Sequence, residues 1–139
     1  MYKPIKEETI VLLELNKSMI LEFDTTRNIR GEYSVPYKFT IPSYGKPTCQ
    51  CHIRWAKDYI AVDDLDIGAD HEGKNLSLQE LFLTLAVKEL IKFTDNSDRL
   101  KLLIYFNNPM LQLILLDHNF SVRKSLSHES GTHRAKLKL

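Results

Sequence analysis

The sequence predicts a mixed α/β (α+β) fold, a sheet carrying one long and one short helix. Apolar residues recur at helical spacing from about Ser77 to Phe93. A second, shorter apolar run follows Asn108 and Pro109. Alternating stretches and short apolar runs, the marks of strands, flank both. The chain has 139 residues, of which 43% are hydrophobic. That suits one domain, spanning 1–139, with a core of its own.

The first segment is the least legible. Within residues 5–24, "TIVLLEL" and "SMILEF" fit neither a helical nor a strand period. Tyr33, Val35, Tyr37, Phe39 and Ile41 then alternate strictly and read as a strand, with Pro36 marking an edge or a bulge. "SYGKP" is a turn. In "TCQCHIRW", Cys49, Cys51, Ile53 and Trp55 fall on one side and Gln50, His52 and Arg54 on the other. The short "AKD" joins this run to the strand "YIAVDDLDI" as a hairpin. A polar loop, "GADHEGKN", leads to the long helix, where Ser77 and Glu80 stand at capping-box spacing.

Leu100 to Phe106 is a short apolar run that suits a buried strand. Asn108 is placed to cap the short helix, with Pro109 at its first position. Asn119 suits the left-handed residue that ends a helix, and Phe120 then packs back. "FSVRKSL" and "THRAKLKL" read as the last two strands.

Charge and composition exclude several classes. The net charge is +1, so no overall field points to nucleic acid or membrane. No apolar run approaches the ~20 residues of a membrane span. "MYKPIKEETIV" lacks the apolar core of a signal peptide, which makes the cytoplasm the default expectation. Cys49 and Cys51 read as structural thiols. With His71 their spacing is no strong zinc signature, and no metal is expected. Charge is uneven: acids crowd Asp58 to Glu80, while Arg123, Lys124, Arg134, Lys136 and Lys138 make the C-terminus basic. An acidic lip suits a cationic amine. A basic tail suits nucleic acid, an acidic partner or the phosphates of a nucleotide, although each is usually a solvated face. The tail lacks the interleaved aromatics of a base-stacking surface, so nucleic acid is not expected.

The loop before the long helix carries most of the chemistry. A strand delivered into a helix N-terminus presents free amides and the positive end of the helix dipole, a place for an anion. Gly73 allows close backbone approach, and Lys74 adds a positive charge. An ordinary capped helix behind a solvated loop is the plainer reading.

"LDIGADHEGKNLSLQELF" resembles the central motif of the GCN5-related N-acetyltransferase (GNAT) family, roughly Leu-x-Val-x-Pro-x-x-Arg-Gly-x-Gly-x-Gly before a helix. Leu65 and Ile67 stand at the apolar strand positions and Ala69 at the proline. Glu72 and Gly73 stand at the arginine-glycine pair, and Asn75 and Ser77 at the later glycines. A second family motif, a helix opened by Asn and ending Tyr-x-x-x-Gly-Phe, is similar to Asn108 through Asn119 and Phe120. The resemblance covers about residues 48–139, with 1–47 a shortened N-terminal region.

The resemblance implies a GNAT-like mixed, mostly antiparallel sheet that splays at its middle strands. It also implies acetyl-CoA, or another acyl-CoA, in the cleft. The cofactor arm would lie along Leu65, Asp66 and Ile67. The pyrophosphate would sit on the loop of Glu72, Gly73, Lys74, Asn75, Leu76 and Ser77, and Asn108 would contact the arm. The acceptor would be a small-molecule or peptide amine, with no membrane partner and with a homodimer left open. The family's base is a carboxylate, and Asp63, Asp64 and Asp66 are the candidates. Strict alternation would place Asp63 with Leu65 and Ile67, and Asp64 with Asp66, on opposite faces.

Departures from the pattern are specific. Glycine is absent at Asn75 and Ser77, Glu72 brings a negative charge, and Leu111 replaces a small residue. The family tyrosine falls at Leu115, which cannot donate a proton. Tyr105 is read as a core residue, with the proton donor's role as its alternative. Two readings follow: an acyl-CoA-dependent N-acetyltransferase, or a GNAT-like interaction or regulatory module with weak or no turnover. A nucleic-acid-binding protein using the basic tail ranks last.

Overall fold

The computed structural model describes residues 11–15, 33–44, 46–73, 75–125 and 131–139. Most of the ambiguous segment 5–24 lies outside them. Seven strands, β1 (Leu12–Leu15), β2 (Tyr33–Thr40), β3 (Pro47–Trp55), β4 (Tyr59–Ile67), β5 (Lys101–Phe106), β6 (Ser121–Lys124) and β7 (His133–Lys138), form one sheet in the order β1-β2-β3-β4-β5-β7-β6. Among the described residues the helices are α1 (Leu76–Asp95) and α2 (Pro109–Asp117). Neighbouring strands run antiparallel except β4 and β5, which are parallel and joined through α1. That is the mixed, mostly antiparallel sheet expected, with Tyr59–Ile67 and the 101–106 strand side by side.

Periodicity explains which face is covered. Cys49, Cys51 and Ile53 of β3, Ile60 and Val62 of β4, and Leu102 and Ile104 of β5 pack in one core with Phe82, Leu83, Val87 and Leu90 of α1. Leu111, Ile114 and Leu115 of α2 join the same core. The two free thiols are buried, and burial, ahead of the nearby negative charges, pushes both well up from their ordinary value. Trp55 packs edge-on against Phe93, with ring centroids 5.5 Å apart, so it is a packing residue.

Four local expectations change. Pro36 lies within an inner strand, paired with His52. Among the described residues the pairing with β1 ends at its neighbour Tyr37, opposite Leu15. The sheet's irregularity falls instead between Phe39 and Thr40. Helix α1 starts at Leu76, and Asn75, not Ser77, is its N-cap: the Asn75 side chain accepts from the Leu78 amide at 2.8 Å. Its C-terminal end reaches Asp95 rather than Phe93.

The opening of α2 is as read, with Asn108 accepting from Met110 N at 3.0 Å and Pro109 in the first turn. Asn119 takes φ 70°, and the Phe120 amide returns to Leu115 O at 3.0 Å, closing the helix. His118 Nδ1 lies 2.7 Å from Ile114 O at that end.

Candidate active site

The site begins where two strands part. β4 and β5 pair from Tyr59↔Lys101 to Val62↔Ile104 and no further. Beyond that point a β-bulge turns β4 away. His52 pairs with Asp63 and Gln50 with Asp66, so Cys51 alone stands opposite Asp64 and Leu65. Asp64 absorbs the extra residue with φ 57°, a left-handed conformation that aspartate tolerates better than most.

The bulge overturns the expected faces. Asp63 shares its face with Asp66, through their partners His52 and Gln50. Leu65 and Ile67 stay with Val62 on the core side. Strict alternation fails because one extra residue shifts every later side chain to the other face.

A cavity of about 350 Å³ opens at the parting. β4 lines it with Asp63, Asp64 and Leu65, and β5 with Tyr105 and Phe106. Asn107, Asn108 and Leu111 at the start of α2, and Thr132 before β7, complete the wall. Arg54 reaches Asp63 through Nε, and its Nη2 donates to Asp63 Oδ1 at 3.4 Å. The same guanidinium sits 5.3 Å from the centre of the Tyr105 ring. His52 Nδ1 lies 3.5 Å from the Asp64 carboxylate, whose side chain is exposed. Asp63 is thus tied to a cation, while Asp64 stands at the cavity with an imidazole beside it.

The loop from β4 to α1 is set by packing. Gly68 lies against β3 so closely that a Cβ there would fall 2.2 Å from Pro47 O. Its amide donates to Thr48 O at 2.9 Å. A short 3₁₀ turn, Ala69–His71, follows. His71 is buried edge-on against Phe82, its Nε2 3.3 Å from Lys46 O. Gly73 takes φ +82°, with open space where a Cβ would stand. Within the first turn, Asn75 takes the Leu78 amide with its side chain and the Gln79 amide with its carbonyl. The amides of Leu76 and Ser77 are left without an acceptor among the described residues.

The sequence-predicted residues therefore fall into two groups. Asp63, Asp64, Leu65 and Asn108 meet in the cavity. Glu72, Gly73 and Asn75 of the loop, with Leu76 and Ser77 of the first turn of α1, are exposed and apart from it. Lys74 lies outside the described residues. Asp66 and Ile67 are not on the cavity wall, and Asp66 Oδ1 accepts from the Ile67 amide at 2.8 Å. Tyr105 is half-buried and lines the cavity, so its reading as a core residue is corrected. Asn107, Thr132 and Arg54 were not singled out for this site. Their signal is three-dimensional: each reaches it from a different strand or loop. Among the described residues no three potential ligands group as a metal site, and no helix is long and apolar enough to cross a membrane.

No family model matches the sequence, and no curated protein does. Solved structures do match the fold. The N-terminal domain of ribosomal-protein-alanine acetyltransferase from Clostridium acetobutylicum shares 12% identity, with 92% of this chain and 90% of that one covered, at a TM-score of 0.59. Campylobacter jejuni N-acetyltransferase PseH shares 10%, covering 92% and 97%, at 0.58. Aminoglycoside acetyltransferase AAC(6')-Ib, solved with coenzyme A, shares 16%, covering 93% and 95%, at 0.59. The chain is a GNAT-fold protein. At such low identities the likeness is one of fold.

Proposed function

We propose that the protein is an acyl-CoA-dependent N-acyltransferase, using acetyl-CoA and accepting a small-molecule or peptide amine. One observation carries this reading: the parting of β4 and β5 gathers two carboxylates, a phenol and two asparagines around one cavity. The residues present suit the cofactor. Past Val62, β4 has no partner on the β5 side among the described residues, so the backbone of Leu65 to Ile67 is available to an extended, amide-bearing arm. The amides of Leu76 and Ser77, at the positive end of a 20-residue helix, suit a pyrophosphate, and Gly73 keeps the loop open. Glu72 is exposed and has solvent to turn toward.

An acyl-CoA held there supplies a thioester for attack by an amine. The chain's own part is to position the amine and handle two protons. Asp64 is the base, because its carboxylate lines the cavity, with the His52 imidazole 3.5 Å away. The lone pairs of Asp63 are committed to Arg54, which makes Asp63 a positioning residue. Tyr105, on the cavity wall, carries a hydroxyl that can donate, a role that buried Leu115 has no group to fill.

The test is calorimetry and thermal shift with acetyl-CoA and CoA, then thiol release across a panel of amines. Heat and a raised Tm are expected, with Asp64→Asn lowering kcat by about 10²-fold or more while binding persists. No heat and no shift at millimolar ligand would end the cofactor assignment. The second reading is a GNAT-like module that binds without turnover. It is favoured by the full burial of Leu115 and by side chains at Asn75 and Ser77, and saturable binding with no thiol release from any amine would select it.

A further inference from the structure

The sheet face opposite the helices gathers charges that the sequence scatters. Register places Lys101 beside Lys138, Tyr105 beside Arg134, and Arg134 beside Arg123. Lys136 falls between, on the same face of β7 as Arg134 and Lys138. No acidic residue stands on this face of β5, β7 or β6, and none of the five cations has an ion-pair partner among the described residues. Arg123 and Lys138 are exposed, and Lys101, Arg134 and Lys136 half-buried. Partial desolvation, then the charges of Lys138, Arg123, Lys101 and Arg134, lower the pKa of Lys136, which reflects the crowding.

We infer that this face docks an extended acidic peptide segment. Along β7 the side chains of Arg134, Lys136 and Lys138 recur every second residue, roughly 7 Å apart. Carboxylates at alternate positions of an extended peptide recur at the same interval. A nucleic-acid strand matches the charge but wants free aromatic faces for its bases. The two tyrosines on this face already carry cations: Arg54 lies 5.3 Å from the Tyr105 ring centre, and Lys101 lies 5.7 Å from that of Tyr59. Arg134 stands opposite Tyr105, so the docked segment ends beside the cavity. The docking surface does not depend on the transfer reaction and is tested without it.

The experiment is fluorescence anisotropy on the full chain, using a short labelled peptide of alternating glutamate and threonine. Saturable micromolar binding at low salt is expected. Lys136→Glu with Lys138→Glu should weaken it at least about tenfold. Lys88→Glu with Lys92→Glu, exposed on α1, should change it less than about twofold. Should the first pair fail to fold, Lys136→Gln with Lys138→Gln replaces it, and a loss of several-fold is expected. Absence of binding, or equal loss from the α1 pair, overturns the inference. So does tighter binding of an oligothymidine strand of equal charge, which would make the face a nucleic-acid surface. Displacement of the peptide by CoA would assign the cations to cofactor phosphates and also overturn it.

Discussion

Replacing Gly68 with alanine should destabilise the protein by about 2–4 kcal/mol. The backbone at Gly68, φ −62° and ψ 145°, is open to any residue, so conformational strain contributes nothing. The cost is packing. The new methyl would meet Pro47 O at 2.2 Å and Pro47 C at 3.1 Å, both rigid backbone atoms. Relieving that contact separates the end of β4 from β3, for about 1–3 kcal/mol of overpacking. It also pulls the Gly68 amide from Thr48 O, 2.9 Å away, for about 0.5–1.5 kcal/mol more. Gly73→Ala is the control. There the methyl meets nothing within 4 Å, and the cost is the left-handed φ of +82° alone, about 1–2 kcal/mol. Urea denaturation at constant m-value reads both. A loss below about 1 kcal/mol at Gly68, or a larger loss at Gly73 than at Gly68, would refute the packing argument.

Leu76→Pro should leave stability nearly unchanged, because Leu76 is the first residue of α1 and Asn75 before it is already extended. It should weaken acetyl-CoA binding by about 1.5–3 kcal/mol, one charge-assisted bond, in calorimetry. Leu115→Tyr places a ring and a hydroxyl in a site with 0% exposure and should cost about 2–4 kcal/mol in urea denaturation. It should bring no gain in thiol release, and a gain would return the proton donor to α2. Both cysteines should resist thiol reagents in the native state and react on unfolding. Burial raises their folded pKa, so the unfolded chain ionises first. Their contribution to stability is whole below about pH 8.5 and declines above it, in denaturation followed against pH.

Much of the fold was legible because local and global signals agree in this chain. The hairpin of β3 and β4, the presence of α1 and both ends of α2 follow from alternation, periodicity and capping residues. Asn108 could be placed from three adjacent residues. The face of Asp63 could not, since the bulge at Asp64 is set by how β3 and β5 receive β4, and nothing in "VDDLD" distinguishes a bulge from a straight strand. Ser77 looked like the cap of α1 because it fits the capping box, yet Asn75 is an equally good cap and takes the role two residues earlier. Tyr105 was hidden for a further reason. A tyrosine in an apolar strand reads as core until the neighbouring strand is seen to leave it.

The parallel pairing of β4 and β5 also bears on how the chain assembles. β3 and β4 meet across a three-residue turn, and β6 and β7 are close in sequence, so both ladders close over little chain. Joining Tyr59–Val62 to Lys101–Ile104 spans roughly forty positions and waits on α1 to cross the sheet. Four paired residues on each strand then hold two hairpin systems together. Contacts of long sequence separation form slowly, so this junction is expected to form late in folding and to part early in unfolding. A molecule wedged into the gap beyond Val62 touches both systems at once. It would act as a clasp, slowing the unfolding rate more than it speeds refolding.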